Sequence, residues 1–285
     1  MRFTNELQEQ NYKDGQKSRK QLSFLGKRIT KVSSDDQYPH YYIYSAPGLG
    51  KTHTIKNSLE VSEKPHFVIS GSVSPWAFGT QLAYINYSVP KDVEVVIVVD
   101  DCDGIFRDNE SINVMKNILE GFKTFNYQKD VSKMLGQLPN DIRTAVEAHM
   151  IQNQLGFKVP TDRMVFIFTS NEKLPMDDDI KSIQNKGTKV YQRKMHLNAI
   201  RSRCQTKDFD LKPLIQWGWI ADVALNEEMG ISDIPKEVVS EVLDFTYNNW
   251  SNLKTKSIRT ISMMLNEYRQ FPDDYAEVWE MEYLK

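Results

Sequence analysis

The chain has 285 residues, long enough for one large domain or two smaller ones with a substantial core. Lys and Arg number 36 against 38 Asp and Glu, so the net charge of −2 carries no global sign of a polyanion-binding protein. Two cysteines, Cys102 and Cys204, are too few for a disulfide framework or a cysteine zinc site, and a reducing compartment is the simpler expectation.

Residues 1 to about 37 are locally basic. Lys13, Lys17, Arg19, Lys20, Lys27, Arg28 and Lys31 lie among Leu22, Phe24, Leu25 and Ile29, which recur at roughly helical spacing. The segment reads either as a helix beside the core or as an arm that orders on nucleic acid or an acidic partner. Met1 to Glu6 lack the apolar stretch of a secretory signal, and the longest apolar run, Val95 to Val99, is far short of a membrane span. A cytoplasmic protein without membrane contact is therefore expected.

His40 to Ile55 reads as a short apolar strand, a Gly-rich turn and a helix start, the layout of a phosphate-binding P-loop. Gly48 and Gly50 let backbone N–H groups close on an anion at a helix N-terminus. Lys51 is expected at the β- and γ-phosphates of ATP and the Thr52 hydroxyl at Mg²⁺. Pro47, Gly48, Leu49, Gly50, Lys51, Thr52 and His53 thus form the candidate nucleotide-binding turn. Ser45 departs from the G-x-x-x-x-G-K-[ST] pattern, which has its first Gly there.

Pro65 to Gly71 reads as a second strand, followed by a helix through Leu82 and Ile85. Val93 to Asp101 is the clearest strand: a near-continuous β-branched run suits burial on both faces of a parallel sheet. Its terminal acids Asp100 and Asp101 would lie at the carboxyl edge, where open α/β folds bind ligands. A helix from about Glu110 to Phe122 carries Ile112, Met115, Ile118 and Leu119 on one face. Residues 122–127 and 156–160 then suggest two strands around a helical insert over 140–155. Met164 to Asn171 is another buried strand, and Val190 to Leu197 a short strand-like run. From about Leu211 the pattern turns helical, with Ile215, Trp219, Ile220 and Val223, then a helix opened by Pro235, then one near Ser257 carrying Ile258, Ile261, Met264 and Leu265. Asp273, Asp274, Glu277, Glu280 and Glu282 make an acidic tail.

A P-loop at the head of alternating strands and helices, with a small helical domain behind it, resembles the AAA+ ATPases over roughly residues 38 to 270. The resemblance implies an α/β fold, a P-loop NTPase three-layer αβα parallel sheet, followed by a small α-helical lid domain. Its expected boundaries are a basic arm at 1–37, a nucleotide-binding domain at 38–210 with an insert at about 123–162, and a lid at 211–285. By resemblance, Asp100 holds Mg²⁺ and Asp101 stands where the family has Glu to polarise the attacking water, with Asp103 as an alternative base. Asn171 looks like the sensor 1 residue. Ser202-Arg203-Cys204 resembles the clamp-loader-like Ser-Arg-Cys motif, making Arg203 the arginine finger that enters a neighbouring subunit, with Arg201 the competing candidate. Arg259, in Ser257-Ile258-Arg259-Thr260, looks like sensor 2.

A finger acting in trans implies a ring, six subunits by resemblance, that turns over ATP with Mg²⁺. Nucleic acid is one candidate substrate, favoured by the Ser-Arg-Cys motif and the basic arm. A threaded protein is the other: Trp76-Ala77-Phe78-Gly79 resembles the aromatic loop of AAA+ unfoldases, although the same residues also read as core of the second helix. A slow, nucleotide-gated scaffold is a third reading, prompted by Asp101 and Ser45. The compact layout looks similar to ATPases encoded by bacteriophages.

Overall fold

The computed structural model describes residues 3–106, 109–120, 123–152, 156–183, 185–226 and 233–285. The side chain of Asp103 lies outside the described residues, as do Phe122 and residues 153–155. In chain order the elements are α1 (Glu6–Ile29), β1 (Tyr41–Ser45), α2 (Lys51–Val61), β2 (His66–Ser70), α3 (Pro75–Ser88), β3 (Val95–Asp100), α4 (Asn109–Leu119), β4 (Thr124–Tyr127), α5 (Ser132–Leu135), α6 (Asn140–Glu147), β5 (Phe157–Pro160), β6 (Met164–Ser170), α7 (Asp177–Lys181), α8 (Lys189–Arg201), β7 (Gln205–Phe209), α9 (Pro213–Leu225), α10 (Lys236–Asn248), α11 (Ile258–Gln270) and α12 (Tyr275–Tyr283). The fold is α/β: a five-stranded sheet flanked by helices, with further helices at the C-terminal end.

The chain forms two compact units. One gathers Met1–Arg28, Ser45–Ser58 and Phe209–Lys285; the other gathers Ile29–Tyr44 and Leu59–Asp208. The second holds the sheet, in the order β2-β3-β6-β1-β7, with β2–β3, β3–β6 and β6–β1 parallel. β6 thus lies between β1 and β3, its neighbours in space but not in sequence. Every residue of β6 is buried, as are Val95 to Val99 of β3, which is why these strands are continuous apolar runs.

The insert is an antiparallel hairpin, β4 with β5, in register Phe125↔Val159 and Tyr127↔Phe157, with α6 between the strands in sequence. Its aromatic face settles the two readings of Trp76 and Phe78. Both lie in the first turn of α3, where Pro75 follows the N-cap Ser74. Phe78 is fully buried against Phe125 and Phe166, and Trp76 packs against Tyr127 and Phe157. The expectation of a substrate-gripping loop is thereby corrected: both residues lie in a helix, Phe78 belongs to the core, and Trp76 is half-buried against the hairpin. Arg163, also buried, donates to the carbonyls of Asn86, Val89, Pro90 and Val93 and so closes the C-terminal end of α3.

Two other expectations change. Val190 to Leu197 is no strand but part of α8, capped where the Thr188 side chain accepts from Tyr191 N at 3.2 Å. Its apolar residues fell by chance near a period of two, and only Leu197 and Ile200 are buried. The last strand is the polar run β7, at the edge of the sheet.

In the first unit α1 lies against α9 through paired glycines. A Cβ on Gly15 would stand 2.1 Å from Trp219 N, and one on Gly218 would stand 2.1 Å from Asn11 O. Backbones therefore meet directly. Around that contact Tyr12, Gln16 and Arg19 of α1 all bond the buried carboxylate of Asp222 on α9, at 2.9, 2.9 and 2.5 Å. Burial would raise the Asp222 carboxyl, but the bonds from Gln16, Arg19 and Tyr12 outweigh it and hold the group below the usual carboxylate range. Among the described residues no helix is long and apolar enough to cross a membrane.

Candidate nucleotide site

In the first unit the glycine turn has the backbone its sequence demands. Gly48 and Gly50 adopt φ of 75° and 76°, the left-handed region that glycine alone enters without strain. Among the described non-glycine residues only Glu63, Asp101 and Lys123 have positive φ, so the Ser45 position does not need glycine. Its hydroxyl instead donates to Ala46 O at 2.9 Å. α2 opens at Lys51, directly behind the turn. The Lys51 side chain is buried, and its ammonium donates to Ser45 O at 3.0 Å and Ala46 O at 3.4 Å, which aims it along the floor of the loop. Leu49 is buried, so the loop offers its backbone there and not a side chain. His53 is exposed and meets Asn57 Nδ2 at 3.0 Å.

Two helices of the same unit grip the loop from outside. Trp219 Nε1 donates to Leu49 O at 3.0 Å, and Ile258 N donates to Gly48 O at 3.1 Å. Ser257 caps α11, accepting from Thr260 N at 3.2 Å. Arg259 follows it, exposed, on the wall of a cleft of about 490 Å³ that also includes Pro47, Gly48, Lys254 and Lys256. The structure therefore brings Arg259 to the loop. Trp219 was not foreseen as part of this site, and nothing in a helical apolar pattern distinguishes an indole whose N–H reaches a loop carbonyl.

In the second unit the parallel register of β3 and β6 pairs Asp100 with Thr169. Thr169 Oγ1 donates to Asp100 Oδ1 at 2.5 Å, and Asp101 N donates to Thr169 O at 3.2 Å. One residue on, Asn171 Nδ2 donates to Asp101 Oδ1 at 3.1 Å. Asp101 and Asn171 are exposed, and Asp101 has φ of 50°. That conformation is uncommon outside glycine, and Asp and Asn are among the residues that tolerate it best. Asp100, Asp101 and Asn171 are thus assembled at the carboxyl ends of adjacent parallel strands. Thr169 belongs with them; its only sequence signal was a hydroxyl two residues before Asn171.

The two candidate fingers are held within the same unit. Arg201 donates to Leu174 O at 3.2 Å and pairs with Asp208 at 3.4 Å. Arg203 pairs with Glu120 and donates to Ala199 O. Burial pushes the neighbouring Cys204 thiol above its ordinary value.

The donor set suits ATP with Mg²⁺. The glycine turn of the first unit carries backbone N–H groups, Lys51 and the Thr52 hydroxyl, and the second unit carries the Asp100 carboxylate; hydroxyl and carboxylate are hard oxygen donors of the kind that Mg²⁺ takes. Among the described residues no group of three or more His, Cys, Asp or Glu could hold a metal ion.

No protein-family model matches the chain, and no curated protein does. Among solved structures, that of PCH-2 from C. elegans is similar, with 12% sequence identity and a TM-score of 0.45. The similarity covers 90% of this chain, which spans 64% of the PCH-2 chain.

Proposed function

We propose that this chain is an ATPase of AAA+ type that hydrolyses ATP with Mg²⁺ to remodel a macromolecular partner. The observation that carries the reading is the hydrogen bond from the Asn171 amide to the Asp101 carboxylate, on strand ends beside Asp100. A base that must take a proton from water needs a fixed direction, and an amide donor on one oxygen leaves the other free to accept. Mg²⁺, held by Thr52 and Asp100, would neutralise phosphate charge. In this reading Lys51 and Arg259 would offset phosphate charge, and backbone N–H groups of the glycine turn would bind the phosphate oxygens. Asp100 would keep its orientation through Thr169 while it takes up the metal.

A ring of subunits is part of the reading, with Arg203 as finger and Arg201 as its competitor. Arg203 would exchange its own Glu120 for a neighbour's phosphate, so Glu120 acts as the parking partner of the guanidinium. Protein threading past Trp76 and Phe78 loses its support, since both rings pack against the hairpin. Nucleic acid would have to be met by the exposed lysines of α1, and no reading module accompanies them in the sequence.

Steady-state ATPase assays test this. Asp101→Asn is expected to lower kcat by about 10²- to 10⁴-fold with nucleotide affinity retained. Asp101→Glu is expected to lose activity too, because the longer side chain is less tolerated at φ of 50°. Full activity in Asp101→Asn, or calorimetry in which the folded protein takes up no adenine nucleotide, would overturn the proposal.

A further inference from the structure

Two surfaces of the first unit have opposite character. On α1, the face turned from α9 carries Lys17, Lys20, Phe24 and Arg28 at spacings of three, four and four residues, all exposed, with Lys13 one turn earlier paired to Glu9. Phe24 is 69% exposed, an unusual state for a ring in the middle of a basic stripe. The second surface is a groove of about 390 Å³ on α11 and α12, formed by Met263, Phe271 and Met281 with Glu267 and Glu282 at its rim. Met263, Phe271 and Met281 are each about half exposed or more, at 54%, 47% and 67%. Glu277 and Glu280 extend the acidic rim along α12.

We propose that the groove on α11 and α12 is a docking site for α1 of a second copy of this chain, with Phe24 seated among the methionines. The complementarity is twofold. Methionine side chains adapt to an aromatic ring and gain sulfur–ring contact, and the lysines and Arg28 meet the glutamates around it. The partner cannot be the chain's own helix. α1 is fixed through its opposite face, where Gly15 meets α9, Asp222 collects three side chains, and Gln8 and Asn11 bond Asp244 and Tyr247 of α10. α11 and α12 pack on the α9 and α10 side, so the lysine stripe faces away from its own groove. Two different patches on one molecule that fit each other make a heterologous contact, which propagates from copy to copy and closes into a ring when the rotation allows. The contact uses no nucleotide, so it stands or falls separately from the ATPase reading.

Sedimentation velocity of the full-length chain without nucleotide, at low and at physiological salt, tests the contact. Wild-type protein is expected to self-associate, more strongly at low salt. Lys17→Glu with Lys20→Glu is expected to weaken association at least 10-fold, and so is Glu280→Lys with Glu282→Lys. Mixing the two reversed proteins should restore association between them, because the reversed surfaces again complement each other. These residues are exposed, and Phe24→Ser, which removes the anchor without altering charge, gives an independent variant. A monomeric wild type, reversed variants that associate normally, or a mixture that stays apart would overturn the proposal. Lysine variants that lose binding to a labelled single-stranded oligonucleotide while assembling normally would overturn it in favour of nucleic acid.

Discussion

Asp101 carries a carboxylate one methylene shorter than the glutamate its position resembles, and its backbone stands at φ of 50°. The two departures fit together: a short side chain tolerates the left-handed backbone, and the backbone sets the direction in which the carboxylate leaves the strand. His40 shows the same kind of local logic in the core. Its Nδ1 accepts from Phe166 N at 3.1 Å, which requires the unprotonated nitrogen. Burial, with the Lys123 charge added, lowers its pKa to about 4. Below pH 6.5 the unfolded chain takes up a proton that the folded chain refuses until about pH 4. Stability from this group is therefore full above pH 6.5, and falls as pH drops through that window, by about 3 kcal/mol in all. His196, lowered by burial and by Lys116, adds in the same direction. Urea unfolding at pH 7 and pH 4.5 should show the loss, and His40→Gln should flatten it; an unchanged slope in the variant would count against this account.

At the scale of elements, the contact of α1 with α9 rests on having no side chain at two positions. Gly218→Ala drives a methyl into a backbone carbonyl of α1, so the helices must separate or bend, at a cost of about 1–3 kcal/mol. Gly136→Ala is the control, because nothing stands within 4 Å of its Cβ position. Thermal unfolding should therefore show a lower Tm for the first variant and little change for the second. This contact was not legible in the sequence, where Gly15 and Gly218 look like weak points in helical patterns. Burial made other elements legible: β1, β3 and β6 are apolar because neighbours cover both faces, and β4 and β5 carry the alternation of a hairpin. β7 was missed because an edge strand of Gln205, Thr206, Lys207 and Asp208 has little apolar pattern to reveal it. α8 was misread for the converse reason, since its buried stripe is only two residues wide. Of the candidate site, Lys51, Asp100, Asp101, Asn171 and Arg259 are named by motif and resemblance, and their roles belong to the proposed function. Thr169, Glu120 and Trp219 could not be named in that way, because each acts through a contact between segments distant in sequence.

For the whole molecule, the ring reading makes a statement about mixtures. Arg203→Ala subunits keep an intact Lys51 and Asp101, whereas Lys51→Ala subunits keep an intact Arg203. If the finger acts in trans, two preparations that are each inactive should regain measurable ATPase activity on mixing, in proportion to the fraction of mixed neighbours. Mixtures that stay at the level of their components would place the guanidinium's role within its own subunit.

The bonds that tie Trp219 to Leu49 O and Ile258 N to Gly48 O give the glycine turn an unexpected allegiance. Its carbonyls hang from α9 and α11, so a tilt of either helix tugs on the amides that would face a phosphate. The turn works like the end of a lever whose arm is the C-terminal helices and whose far end carries α1. On the proposed function, a partner that grasped α1 would therefore gain mechanical purchase on nucleotide affinity without touching the nucleotide.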